Sequence, residues 1–246
     1  MQGQQAGKIR VGYIVFMTTL YTIWACIKTI SGSYTSKEYR PFVDKVLMKW
    51  SLRLMSLINV TTRVIGQENL PKNSKQPVIV MCNHSSLYDV PAAIIALDTT
   101  FRFIAKKELF SIPIFGSAMR KAEIVSIDRH NHYQARDDLK RAKEKMLEGV
   151  VLWIAPEGTT SSDGRLAPFK KGGFHIAIET SALIVPIVLK DIHKIQSNYK
   201  LDIFMNQELE VHICDAIDAS DYTVENREEL MSKVRKQMLT IMGQEE

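Results

Sequence analysis

Cysteine is scarce in this chain: Cys26, Cys82 and Cys214 are the only three among 246 residues. An odd, widely separated set builds neither a disulfide framework nor a zinc site, and a reducing compartment is expected. Glycine (12) and proline (8) are too few for a collagen-like fibre. No internal repeat and no low-complexity segment occur. Long apolar runs are almost missing too. The uncharged stretch at 11–27, VGYIVFMTTLYTIWACI, stands alone, which excludes a polytopic membrane protein. With 46% hydrophobic and 24% charged residues the chain is not mainly disordered. Its length fits one large domain, or one domain with an appendage.

Acidic residues are nearly absent from the first sixty positions. Glu38 and Asp44 stand there against eight basic residues, a balance of +6, while the remainder balances at −1. A basic arm beside an apolar stretch fits anionic lipid headgroups better than nucleic acid, and no nucleic-acid partner is expected. Residues 11–27 as a helix measure about 25 Å, a little short of the ~30 Å hydrocarbon core. The run can span, lie in one leaflet, or be a cleaved leader, since Lys8 and Arg10 precede it and Ser31-Gly32-Ser33 follow. Around 41–60, Val43, Leu47, Trp50, Leu54, Leu57 and Ile58 alternate with Lys45, Lys49 and Arg53. That pattern suits an interfacial helix and equally a helix packed on the domain. Six basic residues, Lys28 to Arg53, follow the apolar run. The positive-inside tendency then keeps the rest on the cytosolic side of the inner (cytoplasmic) membrane. The expected division is a membrane-binding helical arm at 1–60 and a catalytic domain at 61–246.

From residue 76 the pattern changes. Short continuous apolar runs at 77–82, 101–105, 123–127, 150–155 and 182–189 read as strands. Helical stretches at 90–98, 131–149, 171–180 and 224–242 lie between or after them. This alternation predicts an α/β fold with a largely parallel central sheet flanked by helices. Residues 200–205 and 208–217 read as a hairpin or late strands around Asn206-Gln207.

Ligands of such sheets bind beyond the carboxyl ends of the strands. The residues found there are Asn83-His84-Ser85-Ser86-Leu87-Tyr88-Asp89, Asp128-Arg129 and Pro156-Glu157-Gly158-Thr159-Thr160-Ser161. Pro91 is tolerated only in a helix's first turn, so the helix starts near Tyr88–Val90 and Asp89 can fold back to the His84 ring. That makes a general-base dyad or, equally, a helix cap beside a surface histidine. Lys106, after a strand, can face phosphate or simply solvent. Cys82 and His84 share a strand face and could form a thiol hydrolase pair, although a buried strand cysteine is the simpler reading. His130 and His132 resemble a metal pair without further ligands. Lys170-Lys171-Gly172-Gly173 could hold phosphate of a donor at a helix start.

NHSSLYD at 83–89 matches an Asn-His-x-x-x-x-Asp motif, and three further blocks follow in order. These are AKKELFSIPIFGSAMRKAEIVSIDR (105–129), PEGTTSSDGRLAPFKKGGF (156–174) and IVPIVL (184–189). Across about 75–190 the chain resembles the bacterial 1-acylglycerol-3-phosphate acyltransferase (lysophosphatidate acyltransferase) family of glycerolipid acyltransferases. The resemblance implies acyl transfer from acyl-CoA or an acyl carrier protein thioester to a lysophospholipid hydroxyl at a membrane, with no bound cofactor and no metal. It implies His84 and Asp89 as catalytic residues, and Lys106, Arg129, Glu157, Gly158 and Thr159 as substrate-binding residues. Backbone N–H groups near the start of the helix would hold the oxyanion.

Two positions depart from the family pattern. Thr160 stands where the motif has arginine, and Glu123 where it has glycine. Arg165 or Lys170 could restore the lost charge. Another lyso-lipid acceptor, such as a lyso-ornithine lipid, stays open, as do a thioesterase or lipid hydrolase using the same dyad and a non-catalytic membrane module.

Overall fold

The computed structural model describes residues 3–71, 74–99, 101–128, 132–196 and 201–245. Strand β1 (Gln4–Gln5) leads into helices α1 (Lys8–Thr35) and α2 (Tyr39–Leu57) and strand β2 (Val60–Ile65). Then come β3 (Val78–Cys82), α3 (Asp89–Leu97), β4 (Phe101–Lys106), α4 (Phe115–Lys121) and β5 (Val125–Ile127). These are followed by α5 (His132–Leu147), β6 (Val151–Ile154), α6 (Gly172–Glu179) and β7 (Leu183–Leu189). Strands β8 (Phe204–Met205), β9 (Gln207–Ile213) and β10 (Ile217–Asp218) precede α7 (Arg227–Met242).

The main sheet runs β2-β9-β7-β3-β6-β4-β5, with β10 paired to β7. Strands β7, β3, β6, β4 and β5 are parallel, whereas β9 runs against β7 and carries β2 alongside it. The continuous apolar runs follow from burial on both faces. Val78, Val80 and Cys82 enter the core under α2 and α3, while Ile79 and Met81 enter the one under α5, α6 and α7. Of the two readings of residues 200–217, a hairpin or late strands, the structure has the strands. Strand β8 turns away to pair with β1, while β9 joins β2 and β7.

The two N-terminal helices share the sheet's core. Ile14, Leu54, Met55, Leu57 and Ile58 pack in one cluster with Val185, Ile187 and Leu189. The helices are also joined to each other: Trp50 Nε1 donates to Thr22 Oγ1 at 3.1 Å, and the Arg53 guanidinium lies 4.2 Å over the Trp24 ring. Along the outer side of α1, Ile9, Tyr13, Phe16, Leu20, Ile23 and Ile27 form an exposed stripe at helical spacing. Among the described residues α1 is the one helix long and apolar enough to cross a membrane.

Ion pairs fasten α2 toward the β4–β5 end of the sheet. Buried Arg102 of β4 donates to Asp44 at 2.7 Å. Arg40 donates to both oxygens of Glu123, at 2.7 and 2.9 Å, and Lys145 adds a third bond at 3.1 Å. Glu123 has φ +60, a left-handed backbone that costs a non-glycine residue about 1–2 kcal/mol. A glycine would carry no such cost at this position; here the ion pairs hold the residue in place. The Arg40 hydrogen bonds, and then Lys145, hold the Glu123 carboxyl down at about 2. Its folded value lies below its unfolded one, so its stabilisation is complete above the ordinary carboxylate range and lost as pH falls toward 2. Glu123→Gly should relax the backbone and flatten this acid limb of the stability curve. Acid titrations of the two proteins that run parallel would show that the network carries no stability.

Candidate active site

Strand β3 ends in a clip. The Asn83 side chain accepts from the Leu189 N–H at 2.8 Å and donates to the Leu189 carbonyl at 3.2 Å, extending the contact with β7 by one residue. The chain then leaves the sheet as a turn that ends at α3, with Pro91 in that helix's first turn. The turn is held from behind. Buried Gln196 accepts from the Ser86 hydroxyl at 3.3 Å and from the Leu87 N–H at 3.1 Å. Ser86 Oγ in turn accepts from the Tyr88 N–H.

Inside this turn His84 Nδ1 lies 2.6 Å from Asp89 Oδ2. The same oxygen accepts from the N–H groups of Ser85 and Ser86, at 2.8 and 3.0 Å. Asp89 is fully buried. Burial pushes its pKa up, while the bond to His84 and the two amides pull against that. The carboxylate reaches back into the turn, and α3 receives no side-chain cap from its N-cap residue, Tyr88. The edge of the His84 ring meets Trp153, with ring planes at 87°. Nε2 of His84 has no hydrogen-bond partner among the described residues. A ring nitrogen so backed can take a proton from a hydroxyl, because the carboxylate fixes the tautomer and steadies the imidazolium.

The backbone of His84 is pinned as well. Its carbonyl accepts from the Ser161 N–H at 2.8 Å. Its N–H donates to Glu157 Oε1 at 3.0 Å, while Glu157 Oε2 accepts from the Ala167 N–H at 2.8 Å. Glu157 is buried, and burial raises its pKa against the pull of those two amides. Both carboxylate oxygens of Glu157 are turned inward onto backbone. The peptide joining Leu166 to Ala167 is gripped from its far side too, because Arg235 of α7 donates to the carbonyls of Leu166 and Ala167 at 2.9 and 2.8 Å. Gly158 needs its φ of +69 for this turn, and a Cβ there would stand 2.8 Å from Lys170 Cγ. Thr159 is exposed.

The rim assembles as the parallel order requires. His84 follows β3, Glu157-Gly158-Thr159 follow β6 beside it, and Lys106 ends β4 one strand further. Lys106 is 3.7 Å from Glu108, and Lys107 pairs with Asp128 at 2.5 Å. Arg129 and His130 lie outside the described residues. Four amides ahead of α3 are already committed: those of Ser85 and Ser86 to Asp89, Leu87 to Gln196 and Tyr88 to Ser86. Cys82 is buried, which pushes its thiol well above the ordinary value and removes it as a nucleophile. No cluster of three or more metal-ligating side chains occurs among the described residues.

The sequence model described as acyltransferase matches residues 61–190. The chain belongs to the acyltransferase family. Within that family it is 36% identical over 159 residues to the chloroplastic 1-acyl-sn-glycerol-3-phosphate acyltransferase LPAT1 of Arabidopsis thaliana, covering 65% of this chain and 43% of the relative. It is 28% identical over 220 residues to the 1-acyl-sn-glycerol-3-phosphate acyltransferase of Haemophilus influenzae, covering 88% of each. The match spans less than half of LPAT1 and of a Brassica napus relative, and most of the bacterial one. The crystal structure of the 1-acyl-sn-glycerophosphate (LPA) acyltransferase PlsC from Thermotoga maritima superposes with a TM-score of 0.81 at 26% identity, covering 96% of this chain and 94% of that one.

Proposed function

We propose that this acyltransferase moves an acyl chain from a thioester, on coenzyme A or acyl carrier protein, to the free hydroxyl of 1-acylglycerol-3-phosphate, giving phosphatidate. The observation that carries the reading is the His84–Asp89 pair, seated on the parallel-strand rim of an acyltransferase-family chain. His84 Nε2 takes the hydroxyl proton as the oxygen attacks the thioester carbonyl. The tetrahedral intermediate collapses, the C–S bond breaks, and the imidazolium returns the proton to the departing thiolate. No covalent enzyme intermediate and no metal enter the step. Asp89 holds the ring, and Glu157 holds the backbone that carries it.

The acceptor phosphate needs cations, and Thr160 supplies none. We assign that role to Arg129, Lys106 and Lys170. The Lys170 stem lies over Gly158, and no acidic side chain pairs with it among the described residues. Arg165, by contrast, lies beside Asp163 and helps lower its pKa. Arg129→Ala should raise the acceptor KM far more than the donor KM, with Lys rescuing only in part because it lacks the bidentate fork. Equal losses for both substrates would make Arg129 a structural residue.

The arm at 1–60 is read as the membrane-binding part and 61–246 as the catalytic part, even though the two share a core. The exposed stripe of α1 and the basic residues after it support attachment to the cytosolic face of the inner membrane. Incubation with acyl-CoA and a panel of lyso-lipids, read by lipid mass spectrometry, tests the activity. Phosphatidate formation supports the proposal. Free fatty acid formed equally with and without acceptor would replace it with hydrolysis.

A further inference from the structure

The turn that launches α4 is both strained and apolar. Ile114 has φ +64 and ψ −55, and the Phe115 N–H bonds back to the Pro113 carbonyl at 2.6 Å. This is a γ-turn of the strained, positive-φ kind, and a β-branched residue is poorly suited to its centre. Strain persists only where the surroundings over-determine it, and here they do. A Cβ on Gly116 would stand 2.1 Å from the Phe110 carbonyl oxygen, so the two segments touch backbone to backbone. Arg120 donates to that same carbonyl at 2.8 Å. The Ile112 and Ile114 carbonyls accept from Gly116 and Ala118.

What this bracing achieves is exposure. Ile112 is 46% accessible and Ile114 53%, with Leu109 at 37% beside them. Leu87, in the His84 turn, is 68% accessible. Both turns leave the same edge of the sheet, because β3 and β4 run parallel on either side of β6. Residues 106–121 carry Lys106, Lys107, Arg120 and Lys121 against Glu108, and Asp128 from outside the segment meets Lys107. Helix α4 also packs on α1, the helix with the apolar stripe.

We propose that residues 109–114 form a rigid spur that enters an anionic lipid leaflet and turns the His84 edge of the sheet toward it. Ile114, held out at an energetic cost, and exposed Ile112 beside it gain from an apolar phase, and lysines at their base suit anionic headgroups. The spur adds a second contact to the arm. It presents the catalytic edge to a leaflet in which a lyso-lipid's hydroxyl would sit at headgroup level. The inference goes beyond acyl transfer, and its first readout is binding to vesicles.

The test uses the full chain and the Ile112→Ser/Ile114→Gly variant, with phosphatidylcholine vesicles that contain or lack phosphatidylglycerol. Partition onto the anionic vesicles should fall about tenfold or more, the scale of withdrawing one or two buried aliphatic side chains. Activity toward a short-chain acceptor without vesicles should stay within about twofold, whatever acceptor the enzyme prefers. The thermal midpoint of Ile114→Gly alone should match or exceed the parent's, because glycine relieves the turn. Unchanged partition would overturn the proposal. So would a loss confined to self-association, which would make the spur a contact between copies, or an equal loss of activity on the soluble acceptor.

Discussion

His84→Ala is expected to lower acyl transfer by about 10²–10⁴-fold, the usual contribution of a general base, while the protein stays folded. The ring is only half-buried, and the bonds that fix this residue's place, from Ser161 and to Glu157, belong to its backbone. They survive truncation of the side chain. Asp89 loses one of three donors and keeps the two turn amides. Asp89→Asn should also be severely impaired, because a neutral amide can still accept from Ser85 and Ser86 but cannot steady an imidazolium. Product formation by the two variants, alongside their thermal midpoints, is the measurement. Near-parental turnover by folded His84→Ala would remove the base from the mechanism.

Glu157→Ala should be almost as damaging, through a different route. Two part-buried N–H groups, those of His84 and Ala167, would lose their acceptor. A fully buried orphan costs about 1–3 kcal/mol, and part-buried ones cost less, still a sizeable share of the roughly 5–15 kcal/mol that typically holds a domain folded. The His84 backbone would also lose its rear support, and a displacement of about 1 Å at a reacting group can cost 10²-fold. The drop should therefore fall on kcat, with little change in the acceptor KM. Glu157→Gln keeps one acceptor and sets an amide NH₂ against the second N–H, so it should lie between parent and alanine. A selective rise in acceptor KM in the folded glutamine variant would mean that Glu157 touches substrate after all.

The central strands were legible because burial on both faces leaves an uninterrupted apolar run, as in VIVMC and LIVPIVL. Strand β2 was not, because as an edge strand it alternates buried and exposed positions and contains Arg63. The short α4 was hidden for lack of turns in which a period could show. The His84–Asp89 contact could be foreseen because it is local and Pro91 marks where the helix begins. The inward turn of Glu157 could not, because its partners at 84 and 167 come together only in the fold. Gln196 carried no local signal at all, since it acts on a turn 110 residues away. The Glu123 departure was visible as a missing glycine, yet its compensation, Arg40, lies 83 residues upstream.

The grip of Arg235 on the 166–167 peptide bears on when the enzyme comes alive. Gln244 reaches the same loop, donating to the Gly164 carbonyl and accepting from the Leu166 N–H. A ribosome adding about 5–20 residues per second therefore finishes the histidine turn many seconds before the residues that brace its supporting loop emerge. Until then Ala167, which donates to Glu157, lacks the clamp that ties its loop to α7. The turn carrying His84 and Asp89 is local in sequence, yet the loop behind it is completed by residues 235 and 244, so its last support is also the last to be synthesised of the residues that hold it.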